Sequence, residues 1–220
     1  IKVLWGHLMK ITTIIISSLL LMFACFNAAS TEEKDTSQQF LSKDIFDLEF
    51  ANDPRISPDG RSIVYVRSSM DIMSDRARGN LWTINFDGSN HRALLSSRKS
   101  YSSPRWSHDG GRLAYISGAE GSPQLYLRWM DTGQTALLTN LTKSPGSISW
   151  SPDGKWIAFT MQVSASQKPL ASAPAKPEKA KWAPPVKLID KLVYRVDGAG
   201  FLEAGYSHVF IVSAEGGTPR

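Results

Sequence analysis

Three stretches of this chain decide its fold. They are Pro54-Arg55-Ile56-Ser57-Pro58-Asp59-Gly60-Arg61-Ser62-Ile63-Val64-Tyr65, Pro104-Arg105-Trp106-Ser107-His108-Asp109-Gly110-Gly111-Arg112-Leu113-Ala114-Tyr115 and Ser149-Trp150-Ser151-Pro152-Asp153-Gly154-Lys155-Trp156-Ile157-Ala158-Phe159. The shared Asp-Gly falls at 59, 109 and 153, spacings of 50 and 44 residues. Asp accepts backbone hydrogen bonds in a turn and Gly supplies the left-handed conformation that reverses the chain. The β-branched and aromatic flanks are strand sequence, so each copy predicts a hairpin.

A second, looser motif alternates with the first: Leu81–Gly88, Leu125–Gly133 and Val209–Gly217, each a short apolar run ending in an acidic residue and glycine. Each period therefore holds two hairpins, or four strands, the content and length of one propeller blade. The expected fold is all-β, a β-propeller with about three four-stranded blades. Because propellers close with roughly four to eight blades, three read as the front piece of a longer protein. The propeller is assigned to residues 53–220. A lead-in over 31–52 carries a short helical turn at Ser42–Leu48, with Ser42 as its cap.

The third period is stretched. Its second hairpin arrives 84 residues after the preceding one, against 44 before. The added sequence, at about 163–206, includes Lys168–Pro185, rich in Pro, Ala and Lys, a composition that predicts an extended, solvated excursion. Insertions of this length are often functional, and contact with a neighbouring domain or a substrate stands beside a plain surface loop as its reading.

The first thirty residues form an address. Met9-Lys10, the expected true start, precedes sixteen uncharged residues, Ile11–Phe26, and then Ala28-Ala29-Ser30. A cationic start, an apolar run and small residues make a secretory signal peptide, with cleavage expected before Thr31. A retained anchor is disfavoured by Thr12, Thr13, Ser17, Ser18 and Asn27. Lipidation of Cys25 is disfavoured by bulky Phe23 before it. The chain is thus expected to be exported, periplasmic or extracellular, with membrane contact only if the leader is retained or Cys25 is lipidated.

Charge and cysteine content narrow the function classes. The net charge of +5 resides in the leader and in the Lys-rich excursion; without them 18 basic residues face 19 acidic ones. No basic face is left to argue for nucleic acid. Cys25 is the only cysteine, which excludes a disulfide framework and a cysteine metal site. His91, His108 and His208 lack ligand-like spacing, so no metal and no cofactor is expected.

Candidate site residues are few. Asp59, Asp109 and Asp153 are explained by turn chemistry rather than acid catalysis. Trp106 and Trp150, with Ile56 in the same slot, are expected in the core between blades. Asp71, Asp75 and Arg76 form the one dense charged loop, read as solvated or interdomain. Asn140-Leu141-Thr142 matches a glycosylation acceptor, a triplet common by chance. No residue is assigned to catalysis or substrate contact.

Longer strings carry a resemblance. They are the three turn motifs, Ser68–Arg76 leading into Asn80-Leu81-Trp82, Gln124–Gly133, Ala180–Pro185 through Tyr194–Gly200, and His208-Val209-Phe210. Over about residues 40–220 the chain resembles the N-terminal propeller of exported bacterial serine peptidases of the prolyl oligopeptidase family, in the acylaminoacyl- and dipeptidyl-peptidase branch. The resemblance implies a propeller of about seven blades over a C-terminal α/β-hydrolase domain whose Ser-Asp-His triad hydrolyses short peptides. It implies a substrate-gating role for this piece, with peptide substrate and hydrolase domain as its partners. No Gly-x-Ser-x-Gly occurs in the 220 residues, so the triad is expected outside this chain.

Two further readings compete. A non-catalytic TolB-type periplasmic propeller that binds protein partners would carry a separate α/β domain before the propeller, where only about twenty residues lie between Thr31 and Pro54. A propeller enzyme working through its own channel would need clustered carboxylates or metal ligands at strand starts.

Overall fold

The structure, a computed structural model, describes residues 39–118, 121–165, 174–184, 188–197 and 200–220. The leader assigned to 1–30, with Met9 and Cys25, lies outside the described residues, as does the proposed cleavage point. A first short unit ends at Ile45 and the remainder forms a second. A single 3-10 turn, Ser42–Asp47, stands where the helical turn was expected. The residue in the capping position is Leu41 rather than Ser42: its carbonyl accepts the Asp44 N–H, and Asp44 Oδ2 reaches back to accept the Leu41 N–H at 2.7 Å.

The repeat folds as antiparallel meanders. The first sheet runs β1 (Glu49–Ile56), β2 (Ser62–Asp71), β3 (Arg76–Asn85) and β4 (Arg92–Leu95). The second runs β5 (Tyr101–Trp106), β6 (Arg112–Ser117), β7 (Gln124–Trp129) and β8 (Thr135–Leu137). The third opens with β9 (Pro145–Trp150) and β10 (Trp156–Ser164); after two short strands, β11 (Arg195–Val196) and β12 (Gly200–Phe201), it is completed by β13 (Gly205–Ser213). Arg220 exchanges both backbone hydrogen bonds with Ile211, taking up a fourth-strand position on β13. β1 begins five residues before Pro54, since Glu49–Asn52 pair with Ser69–Val66 although they carry no strand-like alternation.

All three Asp-Gly turns close in one way. Ser57, Ser107 and Ser151 each donate their hydroxyl to the aspartate two residues on, at 2.5, 2.5 and 2.6 Å. The same carboxylates accept the N–H of Arg61, Gly111 and Lys155. Gly60, Gly110 and Gly154 hold φ of 72°, 72° and 67°, the left-handed region in which a Cβ is penalised.

The cores lie between sheets. Val64, Val66 and Leu81 of the first sheet meet Leu113, Tyr115 and Tyr126 of the second. On the other face of the second sheet, Ala114, Ile116, Leu125 and Leu127 meet Ile157, Phe159 and Val212 of the third. Alternation along β6 thus serves two interfaces at once, and burial of each Leu, Val or Phe contributes about 1.5–3 kcal/mol.

Candidate functional site

Strands β1, β5 and β9 lie beside one another at one edge of the three sheets. Their common direction follows from a repeated contact: Trp106 Nε1 donates to the Arg55 carbonyl (3.1 Å) and Trp150 Nε1 to the Arg105 carbonyl (3.0 Å). Both indoles are half-buried: they pack against the cores between the sheets, as expected, and in addition tie one sheet to the next through the indole N–H. Ile56, in the same slot of the first sheet, is 59% exposed, because no described sheet precedes it.

Each inner strand also bulges at one repeat position. Asp53, Ser103 and Ser147 take φ of 47°, 55° and 49°, and the pairing shifts there in all three sheets. At the first bulge Asp53 sits between two guanidinium groups: Arg55 approaches Oδ1 at 2.7 Å and Arg105, from the next sheet, approaches Oδ2 at 2.8 Å. A proline inside a strand is a bulge signal, and Pro54 and Pro104 follow the first two; Ile148 follows the third, so the sequence marks only two of them.

The sequence-derived candidates divide cleanly. Asp59, Asp109 and Asp153 are committed to their turns. The Ser57, Ser107 and Ser151 hydroxyls, then the backbone N–H groups, hold these carboxyls below the usual aspartate value, the wrong direction for a proton donor near neutrality. Asp71 closes the β2–β3 turn, accepting from Ser74 Oγ (2.7 Å) and Met73 N–H (3.2 Å) and pairing with Arg78. Asp75 and Arg76 are exposed beside it. His91 is held by aromatic neighbours: its Nε2 lies 2.6 Å from the Tyr65 hydroxyl and its ring packs on Trp82. That pair belongs to a group on the outer face of the first sheet, where Arg67 stacks over Trp82 and pairs with Glu49. Among the described residues no three His, Cys, Asp or Glu side chains converge as metal ligands do.

The excursion leaves the third sheet later than its sequence suggests. β10 and β13 stay paired out to Ser164 and Gly205, and Ala165 N–H donates to the Ala204 carbonyl. At this root Lys143, on the β8–β9 connection, places Nζ 2.6 Å from Glu203 Oε2, and Ser164 Oγ donates to the same oxygen at 3.3 Å. The lysine holds the Glu203 carboxyl below its usual value. Farther out, β11 and β12 form a small hairpin closed by Leu202 N–H to the Tyr194 carbonyl (2.8 Å), with Tyr194 and Arg195 against the Phe201 ring. This frame can bind and position.

Comparison with known proteins agrees with this geometry. Residues 62–169 match the TolB beta propeller domain. An uncharacterized peptidase, YuxL, of Bacillus subtilis is 30% identical over 175 residues, 79% of this chain and 26% of its own length. Dipeptidyl-peptidase 5 of Porphyromonas endodontalis is 36% identical over 112 residues, 49% of this chain and 16% of its own. The Tol-Pal system protein TolB of Pseudomonas aeruginosa is 38% identical over a shorter 66 residues, 30% of this chain and 15% of its own. Among solved structures, the acylaminoacyl peptidase of Pyrococcus horikoshii superposes with a TM-score of 0.59 at 18% identity, over 82% of this chain and 26% of that one, a likeness of fold. The chain spans about a quarter or less of the length of the relatives it matches. Over residues 62–169 it carries a TolB beta propeller domain, and the relatives that match this part include peptidases as well as TolB proteins.

Proposed function

We propose that this chain is the substrate-gating propeller of an exported serine peptidase that hydrolyses short peptides in the acylaminoacyl- or dipeptidyl-peptidase manner, its α/β-hydrolase domain lying in the remainder of the protein. One observation carries the choice over a TolB-type binding module. The peptidase match runs over 175 residues, well past the extent of the propeller-domain match at 62–169, whereas the TolB match covers 66 residues. The likeness to a peptidase thus extends over more of the chain than the domain model matches, and over more than twice the length of the TolB match. In this reading the stacked sheets exclude large substrates, and the paired charges of Asp53, Arg55 and Arg105 give the inner edge a polar lining. Export rests on the leader pattern in residues 1–30.

The test is turnover by the full-length protein. Acylaminoacyl- and dipeptidyl-nitroanilides should be cleaved, and folded proteins or long peptides should not. Absence of turnover together with stable capture of a protein partner would support the binding module instead.

A further inference from the structure

The inner edge of the first two sheets carries more positive charge than its packing requires. Asp53 accepts from Arg105 Nη1 at 2.8 Å and lies 2.7 Å from Arg55 Nη2, so a single carboxylate faces two guanidinium groups. Among the described residues no second acid reaches either arginine, and one positive charge is left over.

The repeat separates what the fold needs from what it does not. The bulge position holds Asp53, Ser103 and Ser147 in the three sheets, and the position two residues on holds Arg55, Arg105 and Ser149. The second and third sheets bulge in the same way without a carboxylate, so the bulge does not call for this cluster. The Asp53–Arg105 pair is enough to tie the first sheet to the second. Arg55 is surplus to that tie.

Both arginines are fixed at the backbone. Arg55 and Arg105 are the residues whose carbonyls accept the two indole N–H groups, from Trp106 and Trp150. Arg105 spends Nη1 on Asp53 and on the Pro104 carbonyl (2.7 Å), and its Nε and Nη2 make no further hydrogen bond among the described residues. Arg55 stands opposite Val64, on the face turned to the second sheet, and its side chain is 45% exposed. That exposure differs from that of Ile56, which points to the other face.

The chemistry of the pair names its ligand. A guanidinium presents parallel N–H donors that match a carboxylate at two points, and Asp53 already bridges the two groups in this manner. A part-buried charge without a counter-ion favours a ligand that brings one.

We propose that Arg55 and Arg105 form an anion site that takes a carboxylate of a bound peptide, so that the protein favours acidic peptides. The site deepens the peptidase reading and rests on it for the peptide's being a substrate.

Calorimetric titration of the full-length protein with triglutamate amide and with triglutamine amide, equal in length and unlike in charge, tests the site. Triglutamate should bind about tenfold tighter, the worth of one charge-assisted contact. Arg55→Gln should bring triglutamate down to the level of triglutamine, with the Asp53–Arg105 tie still holding the sheets, and Arg55→Lys should keep part of the preference. Asp53→Asn removes the resident carboxylate with a side chain that tolerates the left-handed backbone. It should widen the preference, a gain that a purely structural cluster does not give. Equal binding of the two peptides by the unaltered protein would overturn the proposal, as would a preference that survives Arg55→Gln. Inorganic phosphate that displaces triglutamate at equal concentration would make this a site for free anions and overturn it too. Uptake of a fluorophosphonate reports separately on the peptidase reading. A preference for triglutamate in a protein that takes up none would support the carboxylate site and overturn its assignment to a substrate.

Discussion

The indole N–H of Trp150 donates to the backbone carbonyl of Arg105 at 3.0 Å, tying the third sheet to the second. Trp106 repeats the contact one sheet earlier. Loss of a single such bond costs about 1 kcal/mol. Trp150→Phe in the full-length protein should lower the unfolding free energy by about 1 kcal/mol, read as a lower urea midpoint with an unchanged slope, and a neutral result would show that the indole acts only through its apolar surface.

Gly79 makes the opposite kind of contact, an approach with no room to spare. A Cβ there would lie 2.5 Å from the Tyr101 carbonyl oxygen and 2.9 Å from Val66. Gly79→Ala should destabilise the propeller by about 1–3 kcal/mol through overpacking between the first two sheets. Gly60→Ala meets no atom but keeps φ at 72°, so its cost of about 1–2 kcal/mol is backbone strain alone. Crystal structures of the two variants would separate the mechanisms: displaced strands in the first, undisturbed strands in the second.

Gln124 fixes the crossover into the third sheet. Its buried amide donates to the Leu141 carbonyl and accepts the Leu141 N–H and the Thr139 hydroxyl. Gln124→Leu keeps the volume and strands those groups, an expected loss of about 3 kcal/mol. Amide exchange at Leu141 should rise with it.

Acid should loosen the Asp-Gly turns. The Asp59, Asp109 and Asp153 carboxyls are held below the ordinary value of 3.8 by serine hydroxyls and backbone N–H groups. A depressed carboxyl contributes stability above its unfolded pKa and loses it as pH falls through the folded one. Melting temperature should therefore drop below about pH 4, and Asp→Asn at all three positions, which keeps the acceptor, should flatten that drop.

Much of the fold was legible because turn chemistry is local. Asp59-Gly60 and its two repeats specify hairpins without knowledge of any neighbour, and their spacing gives the blade. What escaped depends on contacts between blades. Trp106 packs at the core between blades as its sequence suggests, but its indole N–H bond to the Arg55 carbonyl depends on the position of another sheet. Ile56 shares the slot and lacks the partner. The third bulge, at Ser147, has no proline after it to announce it. The root of the excursion is set by Lys143 and Glu203, sixty residues apart.

The central claim, a propeller belonging to a serine peptidase, meets its most direct test in the native source. An antibody raised to residues 31–160 would recover the endogenous protein for sizing and treatment with a fluorophosphonate probe. The account predicts a protein several times the mass of this chain that takes up the probe. An unlabelled protein of about the size of this chain would contradict it.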